Sequence, residues 1–194
     1  MDERARTQLS ERFMALGAEK RETFLKWLRE QGLTVAGLPI PRAPERQSAP
    51  LTHAQERLWF LWRLTPDSAA YNIAGALRLG GALQLPALWA ALEQVVARHD
   101  ALRTELFEQD GRARQRVTDA RLQRSAVIDL SQEPSPLEAA EQRALELMRE
   151  PFDLQRAPLL RASVLRVAED DHVLVLCVHH IAADGWSLDV IMRE

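Results

Sequence analysis

The sequence has very little cysteine: a single residue, Cys177, among 194. One cysteine cannot form an internal disulfide, and its place within the apolar run of residues 173–178 predicts a buried thiol in a reducing, cytoplasmic compartment. An excess of charge of one sign is also missing, because 25 basic and 28 acidic residues give a net charge of −3. This balance, with no basic block, argues against a protein that binds nucleic acid.

Apolar segments long enough to cross a membrane are absent as well. The charged start, residues 1–6, has no apolar stretch behind it that would make a secretory signal, so we expect no membrane association. What is present, 46% apolar and 27% charged residues, is typical of a soluble globular protein. The length suffices for one domain with a core, or for one domain with an appendage.

Residues 1–45 are interpreted as a helical N-terminal extension that leads into a proline-rich linker. Apolar residues recur there at steps of three and four, the spacing of an amphipathic helix: Phe13, Leu16, Phe24, Leu25 and Leu28. We expect Gly17 to divide this region into two helices and Gly32 to end the second. Residues 39–50 are rich in proline and predict an extended linker.

From residue 46 onward, helices and strands are mixed. Thr52 with Gln55 forms a capping-box pattern, and Asp110-Gly111 is typical of a hairpin turn. The patterns predict helices at 54–64, 85–98, 136–149 and from 186, and strands at 71–79, 103–108, 114–118, 125–130, 161–168 and 172–180. The helix at 136–149 is expected to bury one side, formed by Leu137, Ala140, Ala144, Leu147 and Met148. The predicted fold class is α+β, a mixed α/β two-layer sandwich.

Two adjacent histidines, His179 and His180, follow the apolar run. Neighbouring residues of a strand face opposite sides, and both sides of this strand are apolar, which predicts a central strand covered on both faces. A histidine at the end of such a strand is held rigidly and partly desolvated, which favours its neutral, basic form. It can therefore accept and return a proton near neutral pH, or serve as a hydrogen-bonded core residue.

Asp184 and Gly185 have two interpretations each. Asp184 either caps the final helix or is held by an arginine and thereby fixes the loop that presents His180. Gly185 lets the backbone come close to a ligand, and its N–H, near a helix start, can bind a developing oxyanion. We expect Trp186 to lie in the core rather than to contact a ligand.

Three segments together carry a family resemblance. Residues 179–187 (HHIAADGWS) contain the pattern HHxxxDG, and residues 51–61 (LTHAQERLWFL) are similar to SxAQxRLWxL, with His53 replacing a small or aromatic residue. Residues 98–107 (RHDALRTELF) are similar to RHExLRTxF, with Asp100 in place of glutamate. In this order they resemble the signatures of non-ribosomal peptide synthetase condensation domains, which are chloramphenicol-acetyltransferase-like acyltransferases. The first two segments are interpreted as scaffold, in which Arg57 and Arg103 form structural hydrogen bonds.

The resemblance implies an N-terminal lobe, residues 46–194, that shares a tunnel with a C-terminal lobe not contained in the chain. Two phosphopantetheine arms, from an upstream and a downstream carrier domain, would bring a donor thioester and an aminoacyl acceptor. His180 would be the reactive-face histidine, His179 and Asp184 would support its loop, and Gly185 would line the tunnel. Trp186 and Ser187 would line the tunnel or have a structural role. No cofactor is expected to bind directly. No metal is expected either, because His172, His179 and His180 have no cysteine thiolate or carboxylate beside them to complete a zinc site.

The tryptophan after Asp184-Gly185 and the AQERLW segment at residues 54–59 most resemble the subtype that joins an L-configured donor to an L-configured acceptor. An epimerisation domain and a stand-alone acyltransferase of the same superfamily are the alternatives. We expect the lobe alone to be inactive. Residues 1–45 offer a hypothesis of another kind, a docking element for an upstream synthetase subunit, against the alternative of helices that pack on their own lobe.

Overall fold

The structure is a computed structural model that describes residues 3–32 and 48–194. It divides into two compact units, Met1–Glu45 and Arg46–Glu194. Within the described residues, every helix falls short of the length and apolar character that crossing a bilayer requires. Most of the linker predicted at 39–50 lies outside the described residues.

Within residues 3–32, the described part of the first unit, there are two helices, α1 (Glu3–Ala15) and α2 (Ala18–Glu30). The helical run is interrupted at Gly17, which is the extended N-cap of α2. Gly32, just beyond the end of α2, has a positive φ of 66°. The two helices share an aromatic contact, with the ring centroids of Phe13 and Phe24 separated by 5.6 Å. The Arg21 guanidinium donates to two carbonyls at the end of α1 and thereby satisfies groups that a helix leaves unpaired.

In its described residues, 48–194, the second unit combines four α-helices, a short 3₁₀ helix (Asp100–Arg103) and seven strands. The α-helices are α3 (His53–Leu64), α4 (Leu85–Arg98), α5 (Pro136–Arg149) and α6 (Gly185–Arg193). The strands are β1 (Ala49–Pro50), β2 (Asn72–Gly80), β3 (Thr104–Gln109), β4 (Arg112–Val117), β5 (Ile128–Asp129), β6 (Leu160–Ala168) and β7 (Asp171–His179). This mixture confirms the predicted α+β class.

The strands form two sheets, with the orders β1-β4-β3 and β2-β7-β6-β5. All pairs are antiparallel except β5 with β6. The β3–β4 hairpin turns at Asp110 and Gly111, whose φ angles of 51° and 71° suit the two-residue turn predicted there. Thr52 and Gln55 form the predicted capping box at the start of α3.

Strand β7 lies between β2 and β6, and its two faces belong to different buried clusters. Leu174, Leu176 and Val178 pack in one cluster with residues of α4 and α6. Val173 and Val175 pack on the opposite face with Ala140 and Ala144 of α5. The alternation predicted for this strand is therefore confirmed, and helices hold it from both sides.

Three details differ from the sequence prediction. The strand expected at 125–130 is only Ile128–Asp129, the two residues of that segment that lie in register with β6. Ala49 and Pro50 are a short strand on β4 rather than linker. Leu137 was expected to be buried but is 37% exposed, since it lies in the first turn of α5, outside the cluster that Ala140 and Ala144 form with the sheet.

Leu165 and Leu137 test this packing as a matched pair. Leu165 is fully buried against α5, so Leu165→Ala should lower the free energy of unfolding by about 2–5 kcal/mol through lost burial and a residual cavity. Leu137→Ala removes the same atoms from a partly exposed position outside that cluster and should lower the free energy of unfolding by only about 1 kcal/mol. Urea denaturation of both variants measures the difference. Equal losses would contradict the packing described for α5.

Candidate active site

Backbone hydrogen bonds from both sides hold the two histidines at the end of β7. The His179 N–H donates to the Leu159 carbonyl at 3.2 Å, and the His180 N–H donates to the Tyr71 carbonyl at 2.8 Å. The Ala182 N–H then donates back to the His179 carbonyl at 2.9 Å, so the chain turns immediately after the strand. The backbone of both histidines is thus held by the residues that lead into β6 and β2, and not by the turn alone.

His179 is a buried, neutral histidine. It is 2% exposed, and its ring lies near those of Tyr71 and Phe152, with centroid separations of 6.4 and 6.0 Å. Its Nδ1 accepts the Ile181 N–H at 3.1 Å, which places the ring proton on Nε2. Burial lowers the pKa of His179 to about 4, and the neighbouring His180 contributes in the same direction. His179 therefore supports the turn and is uncharged at neutral pH.

His180 faces the other way and is exposed. Its Nδ1 lies 2.8 Å from the Ala183 carbonyl oxygen. A carbonyl oxygen can only accept a hydrogen bond, so Nδ1 carries the proton and Nε2 of the neutral ring keeps its lone pair. The structure thereby presents a hydrogen-bond acceptor and proton acceptor at the surface of the lobe, in one fixed tautomer.

Asp184 caps helix α6. Its carboxylate accepts the Ser187 N–H at 2.9 Å and the Ser187 hydroxyl at 2.7 Å, and the Asp184 N–H donates to the same hydroxyl at 3.2 Å. These bonds from Ser187 lower the pKa of Asp184. The alternative in which an arginine holds Asp184 finds no support, because among the described residues Asp184 forms no ion pair with an arginine. The cap fixes the far end of the turn whose near end carries His180.

Gly185 is the first residue of α6. The amides of the first helical turn have no carbonyl partner within the helix, and the positive end of the helix dipole lies there. A β carbon added at Gly185 would meet no atom within 4 Å. The structure therefore leaves open space on the side of Gly185 where a side chain would project.

Trp186 is not a core residue, contrary to the sequence prediction, since it is 74% exposed. Five positions separate it from the buried Ile191, which is about 140° around an α-helix, so the two side chains point away from each other. Trp186 and Ser187 line a cavity of about 200 Å³, together with Ala183 of the histidine turn. A larger cleft of about 500 Å³ is lined by residues of 122–163 and by neither histidine.

The two arginines of the scaffold signatures behave differently. Arg103, whose side chain is only 11% exposed, donates to the carbonyls of Val96 and Thr118 and pairs with Asp100, as expected of a structural hydrogen-bonder. Arg57 is exposed and makes no hydrogen bond or ion pair with any part of the chain that the structure describes. The structural hydrogen bonds expected of Arg57 are therefore not found among the described residues.

Sequence reasoning missed the partners of the two histidines. Tyr71 and Phe152 contact His179 from distant parts of the chain, and the Ala183 carbonyl orients His180. No sequence pattern marks a backbone carbonyl as an acceptor, and Pro151-Phe152 carries only a turn signal. Within residues 3–32 and 48–194, no three metal-ligating side chains are grouped as a metal site would need.

Comparison with known proteins agrees with the three signatures. Residues 45–194 match the family described as "Condensation domain". The chain is 44% identical over 158 residues to one of the polypeptides of linear gramicidin synthase from Brevibacillus parabrevis, a match that covers 80% of the chain and 2% of that protein. It is 37% identical over 191 residues to phosphinothricin tripeptide synthetase PhsC of Streptomyces viridochromogenes, covering 96% of the chain and 17% of that protein.

Solved structures show the same fold. The starter condensation domain of rhizomide synthetase RzmA superposes with a TM-score of 0.69 at 31% identity, covering 76% of this chain and 37% of that domain's chain. A variant of that domain, solved in complex with C8-CoA and Leu-SNAC, superposes with a TM-score of 0.67. The chain thus spans a small part of its curated relatives and about a third of the solved domain. Since residues 45–194 match the family, and the fold and the paired histidines agree with it, this chain belongs to the condensation domains of non-ribosomal peptide synthetases.

Proposed function

We propose that residues 46–194 are the N-terminal lobe of a condensation domain that joins a carrier-bound acyl or peptidyl thioester to the amine of a carrier-bound aminoacyl thioester. The observation that carries the proposal is the exposed His180, whose Nδ1–H bond to the Ala183 carbonyl leaves Nε2 free to accept a proton. His180 directly follows β7, a strand that packs against buried clusters on both of its faces.

The reaction needs one proton to move from nitrogen to sulfur. The amine nitrogen attacks the thioester carbonyl carbon, a C–N bond forms, the C–S bond breaks, and the donor arm leaves as a thiol. An α-ammonium group titrates at a pKa of about 8, so part of the acceptor is already a free amine at neutral pH. Nε2 of His180 has two possible tasks, to take the proton or to hold the amine in line for attack.

The residues around His180 have supporting roles in this proposal. The Gly185 amide stabilises the oxygen that becomes negative in the tetrahedral intermediate, with the first turn of α6 adding its dipole. Asp184 holds the start of α6 through Ser187, and His179 holds the start of the turn. Trp186 contributes to the tunnel wall, which suits its exposure and its place in the 200 Å³ cavity.

The substrates follow from the thioester chemistry. The RzmA complex contains C8-CoA and Leu-SNAC, and coenzyme A shares its pantetheine thiol with a carrier arm. We propose that phosphopantetheine arms of an upstream and a downstream carrier domain deliver donor and acceptor, that no cofactor binds the lobe directly, and that the subtype joins an L-donor to an L-acceptor in the cytoplasm. The C-terminal lobe completes the tunnel, so residues 1–194 alone do not catalyse condensation.

The test uses the lobe joined to a C-terminal lobe, with loaded donor and acceptor carrier domains. His180→Ala should lower kcat by about 10²–10⁴-fold, the range of a lost acid–base group. His180→Gln keeps an acceptor near the position of Nε2 but cannot take a proton, so it separates the two tasks: activity near wild type means positioning, and activity near His180→Ala means proton transfer. Product formation is followed by mass spectrometry of the acceptor carrier.

His53→Gln is the matched control, because His53 is a fully exposed histidine on α3. It should retain full activity. Full activity of His180→Ala would contradict the proposal, and amide formation by residues 1–194 alone would indicate a stand-alone acyltransferase. Donors of L- and D-configuration test the subtype: preference for a D-donor contradicts the L-to-L assignment, and inversion of the donor without amide formation indicates an epimerisation domain.

A second candidate function concerns residues 1–45, which we propose as a docking element for an upstream synthetase subunit. They form a compact unit of their own, and their helices expose Met14 and Trp27, at 48% and 50%. Exposed large apolar side chains on a short helix pair are the anchors by which amphipathic helices bind a partner. The match to PhsC covers 96% of the chain and so includes a counterpart of this region.

Deletion of residues 1–40 tests the docking function. We expect the melting temperature of the remaining lobe to stay within about 2 °C, because a segment that serves a partner adds little to the stability of the lobe. Binding to the upstream subunit, measured by calorimetry, should be lost, and Trp27→Ala should weaken it in the intact chain. A clear fall in melting temperature with unchanged binding to that subunit would show that the helices pack on the lobe instead.

A further inference from the structure

The last residues of α5 and the segment just after it, residues 148–152, are held by side chains from three other elements. Its carbonyl groups accept N–H donors from Trp62 on α3, Asn72 on β2 and Arg161 on β6. We call these three donors the carbonyl clamp. They are far apart in sequence from one another and meet only at this segment.

Each donor lies within hydrogen-bond distance of its carbonyl acceptors. Trp62 Nε1 donates to the Phe152 carbonyl at 2.9 Å. Asn72 Nδ2 donates to the carbonyls of Met148 and Glu150 at 2.9 and 2.8 Å, which satisfies groups at the end of α5. Arg161 donates to the carbonyls of Glu150 and Pro151, at 2.5 and 3.1 Å.

The clamp fixes one side chain in particular, Phe152. The Arg161 guanidinium lies over the Phe152 ring, with 3.9 Å from its carbon to the ring centroid. Phe152 is 5% exposed and meets the His179 ring in a T-shaped arrangement at 6.0 Å. A residue fixed at its carbonyl by Trp62 and at its ring by Arg161 therefore closes the space beside His179.

Asn72 joins the clamp to the histidine strand directly. In the β2–β7 register, Asn72 lies opposite His179. Its amide nitrogen is fully used by two carbonyls, whereas its Oδ1 is buried without a hydrogen-bond partner in the described chain. A buried oxygen without a partner is unfavourable. The two N–H bonds must outweigh this cost, and they therefore hold the amide in its orientation.

We propose that Trp62, Asn72 and Arg161 are positioning residues for condensation, which act through Phe152 and His179 on the turn that carries His180. The His179 ring accepts the Ile181 N–H, so a shift of the ring moves the first residues of the turn, and with them the Ala183 carbonyl that fixes the His180 tautomer. The assignment rests on the proposed function, because positioning has meaning only if His180 serves the reaction.

The first experiment requires no catalysis and uses the full 194-residue chain. Trp62→Phe removes one N–H donor and keeps an aromatic ring, and Asn72→Ala removes two donors. Both should let water reach His179, so its pKa, read from imidazole NMR signals, should rise from about 4 toward 6.5. The charged and titratable groups around the ring are His180, directly after β7, Tyr71 before β2, and Arg161 on β6 across Phe152. The two variants change none of them.

Ser125→Ala is the control, because it also removes a side-chain donor to a carbonyl, that of Ala162, at a distance from the histidines. It should leave the pKa of His179 unchanged. If Trp62→Phe folds normally and the pKa of His179 stays near 4, the positioning role is wrong. Asn72→Ala provides the same comparison with two bonds removed.

The second experiment measures kinetics in the domain with both lobes. The clamp variants should lower kcat by about tenfold and leave KM for both carrier substrates within about twofold, since positioning acts on the reacting geometry and not on uniform substrate binding. Unchanged kcat in both clamp variants, with His180→Ala inactive, would overturn the positioning role alone. Unchanged kcat in His180→Ala would overturn the proposed function itself.

Discussion

One hydrogen bond determines the chemistry available at this site, the bond from His180 Nδ1 to the Ala183 carbonyl. It settles which ring nitrogen carries the proton, and it joins the end of β7 to the start of α6 within a single turn. The strand supplies rigidity and the helix cap supplies the opposite anchor. An exposed histidine on a loose loop would sample both tautomers and many orientations, whereas this one has a single arrangement.

The pair of histidines shows how one residue type takes two roles through its surroundings. His179 and His180 are adjacent, yet the pleat of the strand sends one ring among aromatic neighbours and the other to solvent. Burial keeps the first neutral over the whole physiological range, so no charge forms beside the second. The neighbouring strands thus help to define the electrostatics of the exposed ring.

The sequence predicted best where the signal is local. The alternation of β7, the Thr52 capping box and the Asp110-Gly111 turn each depend on residues within a few positions, and the structure has all three. It predicted worst where the outcome depends on how far an element extends or which way it faces. Trp186 and Leu137 are both apolar residues in helices, and it is the packing of α6 and α5 that leaves Trp186 in solvent and Leu137 partly exposed. The contacts of Phe152 and Asn72 with the histidine strand are non-local and carry no pattern.

The single thiol of the chain has a practical consequence. Cys177 is 3% exposed, and burial raises its pKa, so it is a poor nucleophile for maleimides or haloacetamides. A cysteine introduced at any exposed position would therefore be the dominant reactive thiol, without prior removal of the native one. Spectroscopic labels or cross-linkable pantetheine mimics can then be attached at chosen points around the histidine turn, while the core of the lobe keeps its natural composition.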